Sequence, residues 1–376
     1  MRIALVMAGP YPALRGSQVL VRHLAEGLEA RGHAVSVVSF GRRLATRPEP
    51  CVARVALDVA LVARLWRVVR REGSEVVHAH NYEAAIAGLV VARLTGLPLV
   101  YHGHTALAHE LPLYADGERV RAWLGRLGRF LDAQVPRRAD FCIAVTDELG
   151  ETLRQAGVVA DELACIAPTS VPADLGRPPP PAAEVPLVCY AGNLDGYQNL
   201  AFLLRSFACV RAAVPHARLV LVTHGDAHQR VRRQLGRDGL GHGVEIVRAQ
   251  SYDDVRRRLD ASAVAVCPRT ERSGFPMKLL NYMAAGKAIV ASAGSAKGLS
   301  HGVTGLVVPD DDPAAFAGAV TALLEDASLR LRLGTAARRA VERSDAWEGV
   351  LDRIETIYRR VLARARPALV PVAAAE

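Results

Sequence analysis

The chain has 376 residues, 51% of them apolar, and a formal net charge of +9 carried almost wholly by arginine, since its only lysines are Lys278, Lys287 and Lys297. This length accommodates two domains with separate cores, and the apolar fraction excludes a mostly disordered chain. No apolar run approaches the roughly 18 residues of a membrane-spanning helix, and Met1 to Pro10 reads as a buried first strand, not a signal peptide. The six cysteines (Cys51, Cys142, Cys165, Cys189, Cys209 and Cys267) are scattered, with no C-x-x-C pair. They are expected as small core residues in a reducing compartment, which makes the chain cytoplasmic. The basic surplus suits a nucleotide-diphosphate ligand or an anionic membrane surface. Nucleic acid is not expected, because the arginines are dispersed and no aromatic-rich basic module accompanies them.

Periodicity predicts a strand over Ile3 to Met7, a loop from Gly9 to Ser17, a helix over Gln18 to Arg31 and a strand over Ala34 to Phe40. This is a βαβ unit whose first turn lacks the G-x-G-x-x-G dinucleotide fingerprint. The alternation continues with a helix near Val55 to Glu72, a strand over Glu75 to Ala79, a helix over Tyr82 to Thr95 and a strand over Leu97 to His102. His78, His80, His102 and His104 fall at two strand ends, and i, i+2 spacing puts pairs on one side of a strand. That invites a zinc reading, but no carboxylate or cysteine joins them in a known ligand pattern, so no metal is expected.

Residues 118–138 form a basic amphipathic stretch, with Trp123, Leu124, Leu127, Phe130 and Leu131 among arginines. It reads either as a peripheral membrane contact at the inner face of the membrane or as a surface helix packed on its own domain. A strand over Ala139 to Thr146 and a helix over Asp147 to Gly157 close the first half, which spans 1–170. Residues 171–186, with four consecutive prolines, are a stiff linker. The second half, 187–344, restarts with strand Leu187 to Ala191, helix Leu200 to Val214 and strand Arg218 to Thr223, then Val244 to Val247 and helix Tyr252 to Asp260. Asp310, Asp311 and Asp312 precede a helix over Pro313 to Leu324, where capping is the expected role. A last helix over 345–366 is followed by a frayed tail, 367–376.

The most informative stretch is PRTERSGFPMKLLNYMAAGKAIVAS, residues 268–292. A strand over Val264 to Cys267 leads through a turn and Gly274-Phe275-Pro276 into a helix closed by Gly286, then into a strand over Ala288 to Ser292. Pro276 suits the first turn of that helix. Lys278 and Asn281 share one helical face, while Leu279, Leu280 and Met283 take the other. A helix N-terminus after such a strand is a ready anion site, and phosphate is the first ligand to suspect.

This stretch resembles the signature of the retaining GT-B glycosyltransferases of family 4, E-G-F-x-x-x-x-L-E-A-M-A-x-G-x-P-V-V-A. Gly274, Phe275, Leu280, Met283, Ala284, Gly286 and Ile289-Val290-Ala291 keep its frame. The family's opening, P-x-x-x-G-G followed by L-A-x-x-L-x-x-R-G-H-x-V, is matched by Gly16, Leu24-Ala25, Leu28, Arg31-Gly32-His33 and Val35. Val76 to His80 resembles D-V-V-H-x-H, and Pro98 to His104 resembles P-V-V-Y-T-x-H, which puts His104 on the family's active-site histidine. Gly305 to Pro309 resembles G-x-L-V-x-P. The resemblance implies two doubly wound α/β domains facing a central cleft, with the last helix crossing back to the first domain.

Four charged positions of the family pattern are neutral here. The two signature glutamates fall on Ser273 and Asn281; the arginine and lysine of G-R-L-x-x-x-K-N fall on Asn193 and Gln198. The resemblance implies transfer of a sugar from a UDP- or GDP-linked donor to a glycan, lipid-linked or small-molecule hydroxyl. His104 is then the catalytic residue, and Gly16, Ser17, Asn193, Gln198, Ser273, Gly274, Phe275, Pro276, Lys278 and Asn281 line the donor site. Two readings of the neutral positions stay open. In one the charges were replaced as a set, with Lys278 as the phosphate cation and Asn281 and Ser273 as hydroxyl partners. In the other the fold survives as a non-catalytic paralogue with a binding or regulatory role.

Overall fold

The computed structural model describes residues 1–13, 16–41, 52–115, 117–169, 186–223, 231, 235–236, 243–272, 274–342 and 346–365. The segment expected as a linker lies outside them except for Pro186, as do Ser273 and the terminal tail. The chain divides into two units. One comprises Met1–Ala13, Ser17–Ala167 and the stretch from Glu348 onward; the other comprises Pro168–Trp347, with Gly16 grouped with it.

In the first unit the order is β1 (Arg2–Met7), α1 (Gly16–Ala30), β2 (Ala34–Val38), α2 (Val52–Glu72), β3 (Val76–His80), α3 (Tyr82–Thr95), β4 (Leu99–Gly103), α4 (Leu107–Glu110), α5 (Glu118–Gln134), β5 (Phe141–Ala144), α6 (Asp147–Gln155) and β6 (Leu163–Cys165). The strands make one parallel sheet in the order β2-β1-β3-β4-β5-β6. Its central strands are buried on both faces, as parallel strands covered by crossover helices must be, which is why they read as unbroken apolar runs.

The second unit holds β7 (Leu187–Ala191), α7 (Leu200–Ala213), β8 (Arg218–Thr223), β9 (Val244–Arg248), α8 (Tyr252–Asp260), β10 (Val264–Cys267), α9 (Lys278–Ala284), β11 (Ala288–Ser292), β12 (Leu306–Val308), α10 (Pro313–Glu325) and α11 (Ala327–Glu342). Its sheet, also parallel, runs β12-β11-β10-β7-β8-β9. Alternation along β7 sends Val188 and Tyr190 to one core, with Phe202, Phe207 and Phe316, and Cys189 and Ala191 to the other, with Leu279 and Tyr282. The carboxylate of Asp312 accepts the Ala315 N–H at 2.9 Å and caps α10. The α11 helix was not expected. It packs backbone to backbone on the signature stretch, since a Cβ on Gly334 would lie 2.1 Å from the Gly286 carbonyl oxygen.

The last helix, α12 (Ala346–Ala365), completes the first unit. Leu351, Ile354, Tyr358 and Val361 at i, i+3, i+7 and i+10 are buried. The turn after α1 clamps it. Arg31 bonds Asp352 (2.7 Å) and also Glu348, and His33 Nε2 lies 3.0 Å from Glu355. Burial pushes the Glu355 carboxyl up, but hydrogen bonds from His33 and Arg31 outweigh it and hold the group below the usual range. Glu355→Ala should cost about 1–3 kcal/mol, read as a lower urea midpoint at neutral pH. The gap between variant and wild type should narrow in acid, because a depressed carboxyl stabilises above its unfolded pKa and loses that contribution as pH falls through its folded one. Cysteines 142, 189 and 267 are core residues as expected, but Cys209 is exposed on α7.

Candidate active site

In open parallel sheets, ligands bind beyond the strand C-termini where the strand order reverses. In the second unit the reversal lies between adjacent β7 and β10, so the loops that follow these two strands are the candidate binding loops. Lys278 opens α9, and its Nζ donates to Tyr190 Oη at 2.8 Å and to Gln198 Oε1 at 2.7 Å. The ammonium also lies 4.0 Å from the centroid of the Tyr190 ring. Gly192 makes room for it, since a Cβ there would sit 3.0 Å from Nζ. Burial pushes the ammonium down to about 8; Arg269 adds to this, while Cys267 and Asp195 oppose it. Tyr282 ties α9 to the end of β7, its hydroxyl accepting from the Ala191 N–H at 2.8 Å.

Asn193 turns its amide inward. Its Nδ2 donates to Asp195 (2.7 Å) and to Tyr197 Oη (2.8 Å), so it props Tyr197 and its N–H groups do not point to a ligand. Over the Tyr197 ring, 5.2 Å from its centroid, stands the guanidinium of Arg269, which no motif of the chain marks out. Asn281 is half-buried one turn after Lys278. Gly274 and Pro276 are buried and Phe275 half-buried in the approach to α9. Two expectations need correction. The helix begins at Lys278, so Pro276 precedes the first turn instead of occupying it, and α9 is seven residues long without a side-chain cap. Such a short helix has little macrodipole, so the Lys278 ammonium at its start is the stronger local positive charge.

Gly16 and Ser17 open α1, where the Ser17 hydroxyl donates to Gln18 Oε1 at 2.9 Å. The four histidines gather at the C-termini of β3 and β4, His80 standing opposite His102 in register. Tyr358 Oη lies 2.6 Å from His78 Nδ1, His78 Nε2 lies 3.2 Å from His102 Nδ1, and His80 Nδ1 lies 3.1 Å from His104 Nε2. Burial holds the Tyr358 phenol well above its usual pKa, and the neutral phenol shares a hydrogen bond with His78 Nδ1. One nitrogen from each of His78, His80 and His102 lies within 4.8 Å of the others, close enough to prompt a metal reading. The rings of His78 and His102 are parallel within 9°, which suits a hydrogen bond between their nitrogens. Desolvation lowers His104 to about 4, so its imidazole is neutral at neutral pH.

A family model described as glycosyl transferases group 1 matches residues 185–326, and one described as glycosyltransferase family 4 matches residues 14–174. The chain is a family 4 glycosyltransferase of the GT-B fold. It is 29% identical to the phosphatidyl-myo-inositol mannosyltransferase of Mycobacterium tuberculosis, an alignment covering 96% of this chain and 97% of that one. Among solved structures, sucrose-phosphate synthase from Thermosynechococcus elongatus matches with a TM-score of 0.78 at 20% identity, covering 97% of this chain and 100% of that chain. Anabaena HepE in complex with UDP and glucose matches with a TM-score of 0.68 at 17% identity, covering 94% and 98%. Within the family this chain is a variant: its site sets Lys278 against Gln198, where the resemblance called for a lysine at position 198 itself.

Proposed function

We propose that the enzyme is a retaining, metal-independent glycosyltransferase that takes its sugar from a UDP- or GDP-linked donor. The observation that carries this reading is the 2.7 Å contact of Lys278 Nζ with Gln198 Oε1. A cation missing at one position has been supplied from the facing helix to the same point, as expected where a diphosphate still has to be held. Asn281 bonds ribose hydroxyls in this reading, and Ser273 a sugar hydroxyl. Neutral His104 orients the transferred sugar. The bond from the anomeric carbon to the leaving phosphate oxygen breaks, the acceptor oxygen bonds to the same face, and the acceptor proton passes to that phosphate oxygen. Lys278 stabilises the charge that gathers there. The mycobacterial relative is named as a phosphatidyl-myo-inositol mannosyltransferase, which makes a mannosyl donor and an inositol lipid the first pair to try.

Titration calorimetry with UDP, GDP and their sugar conjugates tests this reading. Saturable binding to one nucleotide, followed by sugar transfer with retained anomeric configuration, is the expected result. No binding at millimolar ligand would instead leave a non-catalytic paralogue.

We further propose that this chain is cytoplasmic and touches the membrane through α5. Among the described residues no helix is long and apolar enough to cross a membrane. However, α5 packs on α4 through its small residues and leaves Val120, Trp123 and Phe130 exposed, while Leu124, Leu127 and Leu131 are half-buried. A Cβ on Gly128 would lie 2.5 Å from the Ala108 amide, and the buried Asp132 accepts from the Leu107 and Ala108 N–H groups. Trp123 and Phe130 are 61% and 59% exposed, among the exposed Arg119, Arg126 and Arg129. Replacing both aromatics with serine should weaken sedimentation with anionic vesicles about tenfold or more. Unchanged sedimentation would leave α5 as an ordinary surface helix.

A further inference from the structure

Arg269 leaves β10 two residues after the strand ends and is 5% exposed. Its Nε and Nη2 are buried and have no hydrogen-bond partner among the described residues. A guanidinium taken out of water without an acceptor is costly, and proteins otherwise pair such groups. The Tyr197 face beneath it offsets part of that cost but accepts no hydrogen bond in the plane of the fork. Close by, Asn193 Oδ1 is buried and unpartnered too. The loop carrying Arg269 is firmly placed, since a Cβ on Gly294 would fall 2.0 Å from the Thr270 carbonyl oxygen. Arg269 also depresses the Lys278 ammonium, so the two cations sense one another.

We propose that Arg269 is the second diphosphate-binding cation of this enzyme and, with Lys278, replaces the charges missing at positions 193 and 198. This rests on the reading of the second unit as the nucleotide-sugar site. An anionic phosphate oxygen satisfies the two orphan N–H groups as a bidentate acceptor, which a planar guanidinium recognises better than an ammonium does. Both cations then come from the β10–α9 side of the reversal point, and the β7 loop supplies their supports: Asn193 and Tyr197 under Arg269, Gln198 and Tyr190 beside Lys278.

The test compares nucleoside, nucleoside monophosphate, nucleoside diphosphate and inorganic pyrophosphate binding to wild type, Arg269→Gln and Arg269→Lys by calorimetry, with melting temperatures to confirm folding. The wild type should prefer the diphosphate over the nucleoside. Arg269→Gln should lose about 10- to 100-fold of diphosphate and pyrophosphate affinity with nucleoside affinity unchanged, and Arg269→Lys should recover part of the loss. Equal diphosphate affinity in folded Arg269→Gln and wild type overturns the assignment and leaves the donor-site reading standing. A wild type that binds neither nucleotides nor pyrophosphate overturns both.

Discussion

Lys278→Ala is expected to weaken nucleoside diphosphate binding about 10- to 150-fold, the equivalent of about 1.5–3 kcal/mol for one charge-assisted hydrogen bond. The loss alone would not separate a ligand contact from damage to the Tyr190–Gln198 network. The exchange Lys278→Gln with Gln198→Lys does separate them, because Nζ and Oε1 are 2.7 Å apart and the swap returns a cation to nearly the same point. Recovery of most of the affinity in the double variant is the expected outcome. A double variant as weak as the single one means that Lys278 is merely a packing group. The ionisation gives an independent check. With the free ammonium near 8, the protonated form binds, so affinity should be flat at neutral pH. It should fall by up to about tenfold per pH unit above 8, until the higher pKa of the complex is reached. Lys278→Arg should remove that decline.

His104→Ala should lower turnover about 10²–10³-fold with nucleotide affinity nearly unchanged, as for loss of an oriented polar group acting in the transition state. The companion change is His80→Phe. It removes the 3.1 Å partner of His104 Nε2 while keeping an aromatic ring between the stacked neighbours His78 and His102. Its expected signature is a smaller fall in turnover, since His104 is then mispositioned but present. Because burial holds His104 near 4, its contribution should be constant from pH 6 to 8 and decline only in strong acid. A rate that rises as pH drops through 6.5 would mean that the cationic form is the active one, and would overturn the assigned role.

Much of the fold could be read from the chain because parallel strands buried on two faces are short apolar runs, and helices alternate with them at regular spacing. Leu187–Ala191, Val264–Cys267 and Ala288–Ser292 have the bounds that their patterning predicts. The α11 helix escaped because Ala327–Glu342 mixes arginine and alanine with few large apolar residues, so its inward face shows no clear period. The Lys278 position could be read from the signature frame. Its hydrogen bonds could not, since Gln198 and Tyr190 lie some eighty residues away along the chain. Arg269 was invisible for a different reason. In so arginine-rich a sequence one arginine carries no signal, and what distinguishes it is burial without an acceptor, a property of the folded state alone. The histidine pairs were noticed by their i, i+2 spacing, yet the bonds that form run between strands, His78 to His102 and His80 to His104.

The first unit is assembled from the two ends of the chain, and this constrains the order in which a ribosome can produce it. Residues 168–347 are contiguous and can collapse as soon as they emerge. The sheet built from the first 167 residues must wait for α12, whose Tyr358 is fully buried against His78. At about 5–20 residues per second that wait lasts roughly 10–40 s, with an apolar groove open throughout. The nascent protein is therefore expected to complete its later-synthesised unit first.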